Sequence, residues 1–480
     1  MTPSTALLTD RYELTMLQAA LADGTAHRRC IFEVFTRRLP HGRRYGVLAG
    51  TGRVLEALAD FRFGEAELAW LEHERVVDGP TLAWLASYRF TGDIVGYAEG
   101  EAFFPLSPVM VVEGTFAEAV LLETLVLSIL NYDSAVASAA SRMTSAAVDR
   151  PVLEMGARRA HEDAAVAAAR AAIIGGFVGT SNLEAGRYGL PTIGTAAHAF
   201  TLLHDDEVSA FASQVAQAGV GTTLLVDTYD VKKGVQHALE IAGPGLGAVR
   251  LDSGDLAVQA QEVRAQLDAA GAHATKIVVT SDLDEYAIAA LAVAPVDSYG
   301  VGTSLVTGSG APTCGMVYKL VSRERADGTM QPVAKVSQSK ASVGGLKAAA
   351  RRLGPDGRAT EEVLVTGPEP TVRAWRERRW TEPDEALRPL HVPLVTAGVA
   401  DERWIGAAGV ATAAARHHAS REELPRGARR LSSDEAALPT VTLPLVRLRP
   451  AGRPAGGGAD AGRHAPPPAV ATRGCVWPAP

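Results

Sequence analysis

The spacing of apolar residues along the chain predicts that the first segment contains both helices and strands. Apolar side chains recur at helical spacing through DRYELTMLQAALADG, which stops at Gly24. The stretch CIFEVFTRRLP instead alternates like a strand and ends in two arginines before Pro40. A pair of short strands around a proline-containing turn is predicted for GDIVGYAEGEAFFPLSPVMVVEG. We therefore predict that residues 1–117 form the N-terminal part of an α+β domain.

The pattern changes between residues 118 and 315, where alanine-rich helices alternate with short apolar runs. Six of these runs end in small and polar residues: GGFVGTSN, PTIGTAAH, TTLLVDTYD, GAVRLDSGD, KIVVTSD and VDSYGVGTS. Repeated strand–helix units of this kind are typical of a parallel sheet or barrel. The loops that follow parallel strands meet at one face, which holds the chemistry in such folds. We predict an α/β barrel with the active site at this face.

Residues 316–443 are predicted to complete the α+β domain. Strand-like GMVYKLV and PVAKVSQSK come first, and turn-rich, charged sequence follows. The last stretch, residues 444–480, consists mainly of Ala, Gly, Pro and Arg and has almost nothing to bury. We predict that this tail is disordered.

Composition and charge narrow the classes of function. With 480 residues and 47% hydrophobic content, the chain can bury ample core, and its net charge of −7 argues against nucleic-acid binding. Cys30, Cys314 and Cys475 form no CxxC pair, so neither zinc nor a disulfide framework is expected, in keeping with the cytoplasm. The N-terminus lacks a signal-peptide pattern, and the longest apolar run, AVLLETLVLSIL, is too short for a membrane span and contains Glu123. We expect a buried helix of a soluble protein.

Two of the strand endings carry patterns that favour ligand binding. In GLPTIGTAAHAF, small residues precede His198, which is either a packed core histidine or a group that a large polar ligand must approach. Convergence with the other strand ends favours the second interpretation. SYGVGTSLVTGSG combines glycines with hydroxyls before a helix, as a phosphate monoester requires, and GGFVGTSN is a weaker second case.

Charged residues at the ends of predicted elements are further candidates. The cations that could surround a polyanion are Arg37, Arg38, Arg142, Arg250, Lys335 and Lys340. Ordinary surface charge is the alternative, above all for the pair of adjacent arginines. Aspartates that could hold a divalent ion, hydrogen-bond sugar hydroxyls or simply cap helices are Asp227, Asp230, Asp252 and Asp255. The sequence has neither transition-metal spacing nor a nucleophile elbow.

An ordered set of motifs carries a family resemblance. In chain order these are LLTDRYELTM, FEVFTRRLP, SAASRM, EMGARRAH, GGFVGTSNLEAGRYGLPTIGTAAHAF, VRLDSGDL, TSDLDEY, GVGTSLVTG and GMVYKLV. Together they resemble nicotinate phosphoribosyltransferases over roughly residues 5 to 443. The resemblance implies an irregular parallel α/β barrel of the type II phosphoribosyltransferase kind, beside an α+β domain formed from both chain ends. It also implies a homodimer with shared active sites.

The resemblance implies a reaction as well. Nicotinate and phosphoribosyl pyrophosphate would give nicotinate mononucleotide and pyrophosphate in NAD biosynthesis, coupled to ATP hydrolysis and assisted by Mg²⁺ whose ligands are unknown. A nicotinamide or quinolinate enzyme and a non-catalytic phosphate-binding barrel are the alternatives. Quinolinate enzymes are shorter and need extra cations for a second carboxylate, whereas no single residue separates nicotinate from nicotinamide.

Residue roles follow from the same motif match. His198 would be the phosphorylated histidine, and Asp252 would orient the ribose or the pyridine ring. Nicotinate would meet Thr195, Arg250 and the ring of Tyr12, which is expected to come from the partner subunit. The groups implied to bind phosphoribosyl pyrophosphate are Arg38, Arg142, Gly302, Thr303 and Thr307. The final tail has no counterpart expected in the family.

Overall fold

The N-terminal segment alternates helices and strands in the computed structural model, which describes residues 4–335, 343–382 and 386–445. Its helices are α1 (Arg11–Asp23), α2 (Thr51–Ala59), α3 (Glu65–His73) and α4 (Gly79–Ala86). Its strands are β1 (Arg29–Thr36), β2 (Gly46–Val47), β3 (Asp93–Tyr97), β4 (Ala102–Phe103) and β5 (Met110–Thr115). The helix predicted before Gly24 and the strand predicted before Pro40 are therefore confirmed as α1 and β1.

The central segment consists of helices that separate short strands. Its elements are α5 (Phe116–Val120), α6 (Glu123–Ala147), β6 (Val152–Glu154), α7 (Glu162–Ile174), β7 (Gly179–Thr180), α8 (Leu183–Gly186), α9 (His198–Leu203), α10 (Glu207–Ala218), β8 (Thr223–Leu225), α11 (Val231–Ala242), β9 (Ala248–Leu251), α12 (Leu256–Ala269), β10 (Lys276–Val279), α13 (Glu285–Ala290), β11 (Ser298–Val301) and α14 (Thr303–Val306). Aspartates cap several of the helices, as at Asp230 and Asp255. The capping interpretation therefore accounts for these two side chains.

The C-terminal segment is mostly antiparallel strand. Its elements are β12 (Met316–Glu324), β13 (Met330–Pro332), β14 (Ala348–Leu353), β15 (Ala359–Thr366), α15 (Glu369–Thr381), β16 (Leu387–Pro389), β17 (His391–Thr396), β18 (Val399–Ala400), α16 (Gly406–Glu423) and β19 (Thr440–Pro444). Lys340 and the predicted tail from residue 446 onward lie outside the described residues.

Both ends of the chain contribute to one antiparallel sheet, which confirms the predicted α+β domain. The strand order of this seven-stranded sheet is β13-β12-β1-β5-β3-β17-β18. Within it, β1 lies between β12 from the C-terminal segment and β5 from the N-terminal segment. A four-stranded sheet, β16-β14-β15-β19, adds further C-terminal strands. The chain thus leaves this domain after β5 and returns to it at β12.

The central strands form a parallel sheet that curls into a half-barrel. The strand order is β7-β6-β11-β10-β9-β8, and all five pairings are parallel. Along the chain, β6 is the first barrel strand and β11 the last, and these two strands pair with each other, as closure of a barrel requires. The open seam lies between β7 and β8, where Thr192 adds one parallel bridge to Thr180. The predicted irregular barrel is confirmed.

Two details of the predicted barrel are wrong. PTIGTAAH forms no strand beyond the single bridge at Thr192, because it runs along the open seam with no strand on its other side. The sixth strand is instead β6 (Val152–Glu154), which is only three residues long and has too little pattern to be recognised. The longest apolar run, AVLLETLVLSIL, lies in α5 and α6. This helical stretch, Phe116–Ala147, is apolar and long enough to cross a membrane, but 67% of its most apolar window is buried inside the protein, as in a core helix.

Candidate active site

A cavity of about 730 Å³ opens at the carboxyl ends of the barrel strands. Five of the six strands contribute residues at or just after their carboxyl ends, among them Ser181 after β7, whereas β8 contributes its first residue, Thr223. Gly300 in β11 lets Thr280 and Met155 pack closely against the strand in the cavity wall, since an added Cβ would lie 2.6 Å from Thr280 Cγ2 and 2.7 Å from the Met155 sulfur. The size suits a nucleotide-sized ligand.

Arg250 is the cation that β9 places in this cavity. Its side chain is partly buried, and its buried Nε has no hydrogen-bond partner in the described part of the chain. No other nitrogen of the guanidinium pairs with a described residue either, so the whole group is free to take an anionic or hydrogen-bond-accepting ligand. A planar carboxylate matches the guanidinium fork best.

His198 is the first residue of α9, where the chain leaves the seam. Its Nδ1 lies 3.1 Å from the Thr228 hydroxyl, and its Nε2 lies 3.9 Å from Asp227 Oδ1 and 3.8 Å from Asp252 Oδ2. The ring is 38% exposed, so it is not a packed core histidine. Asp227 is fixed in turn, because its Oδ2 accepts hydrogen bonds from the backbone amide of Asp252 and the hydroxyl of Ser253, both at 2.8 Å.

The small residues before His198 form one wall of the cavity. Gly194, Thr195, Ala196 and Ala197 all line it, and an added Cβ at Gly194 would meet no atom within 4 Å. His198 lies directly behind this wall and is linked to the cavity through Asp252, which lines it. The sequence GTAAH therefore places no bulky side chain in the part of the wall that precedes the imidazole.

Five of the ten predicted site residues line the cavity itself: Thr195, Arg250, Asp252, Gly302 and Thr303. The structure does not bring the other predicted contacts into this cavity. Tyr12 is 45% exposed on α1, Arg38 is exposed after β1, and the exposed Thr307 donates its hydroxyl hydrogen to the Thr303 carbonyl at 2.9 Å. Arg142 is buried on α6 against Glu285 and Tyr286. Their proposed ligand contacts stay predictions.

Sequence reasoning missed three charged residues of the cavity. Arg158 and Arg159 lie on a 3-10 turn after β6 and line the cavity, as does Asp282 after β10. Both arginines are exposed, and no hydrogen bond or ion pair holds either guanidinium in the described chain. The signal was the motif EMGARRAH, but the strand that precedes it was not recognised, so its arginines were not assigned to a strand end.

Metal ligands are sparse in this region. Across the described ranges, no group of three or more His, Cys, Asp or Glu side chains is arranged to hold a metal ion. Asp252 and Asp282 nevertheless present two carboxylates to the cavity. One or two carboxylates suit Mg²⁺, which keeps several waters and takes its remaining ligands from substrate phosphates.

Comparison with known proteins places the chain in a class and then in a family. The half-barrel beside an antiparallel domain is the type II phosphoribosyltransferase fold. The chain is similar to the crystal structure of human nicotinic acid phosphoribosyltransferase, with a TM-score of 0.71 and 26% sequence identity. The match covers 90% of this chain and 97% of that one. The family model for the N-terminal domain of nicotinate phosphoribosyltransferase matches residues 7–131.

Sequence relatives extend this match over most of the chain. The nicotinate phosphoribosyltransferase pncB1 of Mycobacterium tuberculosis is 55% identical over 449 residues, covering 91% of this chain and 95% of that protein. The nicotinate phosphoribosyltransferase of Bacillus subtilis is 39% identical over 346 residues, covering 70% of each. The chain belongs to the nicotinate phosphoribosyltransferase family.

Proposed function

We propose that this protein joins nicotinate to phosphoribosyl pyrophosphate, releasing pyrophosphate and nicotinate mononucleotide for NAD biosynthesis, and that ATP drives the reaction through His198. The observation that carries the proposal is the partly buried Arg250, whose Nε lacks a partner within the described residues and which lines a cavity with two further unpaired arginines. This arrangement suits a ligand pair in which one molecule has a carboxylate and the other has phosphates.

Arg250 would bind the nicotinate carboxylate through a charge-assisted hydrogen bond. Nicotinamide lacks the negative charge that repays desolvation of the guanidinium, so Arg250 favours the acid over the amide. Thr195 lines the same cavity and would contact the same ring. The pyridine nitrogen then attacks ribose C1, and the bond from C1 to the pyrophosphate oxygen breaks with its electron pair on the leaving group.

Arg158 and Arg159 would hold the pyrophosphate, on which negative charge grows as that bond breaks. The amides and hydroxyl at Gly302 and Thr303 would hold the 5′-phosphate. Mg²⁺ would be held by Asp252 or Asp282 together with the pyrophosphate, and when bound it neutralises leaving-group charge. Asp252 would also orient the ribose, because its carboxylate lies between the cavity and His198.

His198 would accept the γ-phosphoryl group of ATP. A ring nitrogen forms a bond to phosphorus while the bond from phosphorus to the β–γ bridging oxygen breaks, and ADP leaves with that electron pair. Asp227 and Asp252 flank Nε2 and would stabilise positive charge on the ring. Phosphorylation would shift the affinity for the sugar phosphate and so drive synthesis.

The dimer with shared sites is also a proposal. It is supported by Tyr12, whose side chain is 45% exposed on α1. Partial burial and the carboxylates of Glu123 and Glu13 raise the pKa of its phenol to about 12. A neutral aromatic ring at this exposed position suits stacking on a ligand of the partner subunit. We place the protein in the cytoplasm, which the free, buried thiols of Cys30 and Cys314 support.

The test is a substrate panel run on wild type and on His198→Asn. Purified protein is given phosphoribosyl pyrophosphate and Mg²⁺ with nicotinate, nicotinamide or quinolinate, with and without ATP, and mononucleotide is measured. We expect product from nicotinate, stimulated by ATP in the wild type. His198→Asn should lose ATP hydrolysis and the stimulation but keep slow, ATP-independent synthesis, because the groups that bind both substrates remain.

His204→Asn is the matched control, since the hydrogen bond that this nearby imidazole makes within the described chain is to the Phe200 carbonyl at 2.9 Å, and the variant should leave both activities unchanged. Product from nicotinamide alone would overturn the substrate assignment, and absence of any product would favour a non-catalytic barrel. ATP stimulation that persists in His198→Asn would refute the phosphohistidine. Loss of both synthesis routes with an unchanged fold would indicate a general acid instead.

A further inference from the structure

A buried cluster of charges outside the cavity joins three separate parts of the chain. Glu285, at the start of α13, accepts hydrogen bonds through Oε1 from Arg142 Nε at 2.8 Å and from Arg43 Nη1 at 3.1 Å. The side chains of Glu285, Arg43 and Arg142 are 2%, 3% and 7% exposed. We call these three residues the Glu285 cluster. Their burial means that each charge depends on the others for compensation.

The cluster also holds the end of the glycine-rich loop, residues 302–310. The Ser309 hydroxyl donates to Glu285 Oε2 at 2.5 Å, and Arg43 Nη2 donates to the Gly308 carbonyl at 2.6 Å. These bonds close a ring from Arg43 through Gly308 and Ser309 to Glu285 and back to Arg43. The start of the same loop, Gly302, lines the ligand cavity.

The backbone at this turn adopts a conformation that most residues avoid. Gly308, Ser309 and Gly310 have φ values of 62°, 51° and 81°. Ser309 is the residue for which the left-handed region is unfavourable, and such strain persists only where surrounding contacts fix it. The hydrogen bond to Glu285 supplies that contact, so the turn depends on the Glu285 cluster for its shape.

The charge balance of the cluster is uneven. Two guanidinium groups share one carboxylate, which leaves an excess positive charge buried beneath the loop. Burial lowers the pKa of Arg43, and the pKa of Glu285 is held below its ordinary value because hydrogen bonds from Ser309 and Arg142 outweigh its burial. An excess buried cation is unfavourable in the free protein and is relieved when an anion binds nearby.

We propose that Glu285 and Arg43 are positioning residues for the phosphorylated sugar: they fix the end of the glycine-rich loop and place a buried positive charge beneath it. This inference rests on the proposed function, in which that loop binds the 5′-phosphate. Neither residue lines the cavity or touches the reacting atoms. Their effect is therefore on the affinity for phosphoribosyl pyrophosphate, with little effect on nicotinate.

The experiment compares Glu285→Gln with Glu113→Gln in the full chain. Glu113 is a matched control, since this buried carboxylate also holds two arginines, Arg373 at 2.5 Å and Arg376 at 2.9 Å, but lies in β5 of the antiparallel domain. We expect Glu285→Gln to raise the KM for phosphoribosyl pyrophosphate about tenfold, because the lost anchoring of Ser309 and Arg43 outweighs the positive charge that the variant leaves unbalanced. The KM for nicotinate should stay within about twofold. Glu113→Gln should lower the melting temperature and leave both KM values unchanged.

Ser309→Gly provides a second variant that does not threaten the fold. Glycine relieves the unfavourable φ but removes the hydroxyl tether, so we expect an unchanged or higher melting temperature with about a threefold higher KM for phosphoribosyl pyrophosphate. A merely structural cluster predicts no change in that KM.

The outcomes separate this inference from the proposed function. Wild-type protein that forms no product from phosphoribosyl pyrophosphate would sink the proposed function itself. Wild-type activity together with an unchanged KM for phosphoribosyl pyrophosphate in Glu285→Gln would overturn the positioning role alone. If Glu285→Gln does not fold, an unchanged KM in Ser309→Gly overturns it instead.

Discussion

At the scale of single residues, Arg250 shows how an incomplete hydrogen-bond inventory indicates a ligand. No described residue pairs with its guanidinium, whereas the guanidinium of Arg170, also buried, donates to both oxygens of Glu99 at 2.6 and 2.8 Å. A buried Nε without a partner is not in itself the sign, since Arg376, Arg388 and Arg416 share it and yet pair with carboxylates through other nitrogens. The lack of any such pair in the described chain separates Arg250 from these structural arginines. Sequence alone could not make this distinction.

Arg250→Lys tests the geometry of the guanidinium separately from its charge. Lysine keeps the positive charge but loses the planar fork, so we expect kcat/KM for nicotinate to fall by about 1–3 kcal/mol of transition-state binding with the fold intact. Arg187→Lys is the control, since that arginine is 76% exposed in a surface pair with Glu184. Unchanged efficiency for nicotinate in Arg250→Lys would remove the role given to Arg250.

At the scale of elements, the sequence predicted the strands with a clear apolar run followed by polar residues, and β8 to β11 lie where those runs predicted. It failed at the seam, because PTIGT has the local composition of a strand but lies at the open edge of the barrel, where it makes a single bridge, from Thr192 to Thr180. It also failed at β6, because three residues are too few to show the alternation of apolar and polar side chains that identifies a strand. Asp252 was found as a strand-end residue and Thr195 through the family resemblance, whereas Arg158 and Arg159 were missed together with β6.

The four-stranded sheet and α16 are joined by Glu101, which provides an element-scale prediction. Its buried carboxylate pairs with Arg351 of β14 at 2.7 Å, Arg388 of β16 at 3.0 Å and Arg416 of α16 at 3.3 Å. Burial alone raises the pKa of Glu101, but these arginines outweigh it and hold the pKa well below the ordinary 4.5. A lowered folded-state pKa stabilises the protein above pH 4.5 and loses that contribution as the pH falls.

Glu101→Gln should therefore be less stable at pH 7, by about 3–5 kcal/mol, since it leaves buried arginines uncompensated. Its free energy of unfolding should also decline less steeply than that of the wild type when the pH is lowered below 4.5. Urea unfolding at a series of pH values measures both effects. Parallel pH profiles for the two proteins would contradict the assigned pKa direction.

At the scale of the whole molecule, apolar side chains are exposed along the N-terminal segment and α1. Leu7, Leu8, Tyr12 and Met16 are 40%, 58%, 45% and 37% exposed. Neighbouring exposed apolar side chains favour a protein–protein contact over free solvent. This surface supports the proposal that Tyr12 serves a ligand site on a second copy of the chain, and the proposal has a consequence for mixed dimers.

Mixing an inactive Tyr12→Ala chain with an inactive Arg250→Ala chain should restore activity. In a heterodimer, one site combines an intact Arg250 with an intact Tyr12 from the other subunit, while the second site lacks both. Random exchange makes half the dimers mixed, so we expect roughly one quarter of wild-type activity. The two chains carry different affinity tags, so that heterodimers can be purified and counted.

Arg250→Ala mixed with Asp252→Ala is the control and should restore nothing, because both side chains belong to the same barrel. Purified Tyr12→Ala and Arg250→Ala heterodimers that remain inactive would mean that each site is built from one chain.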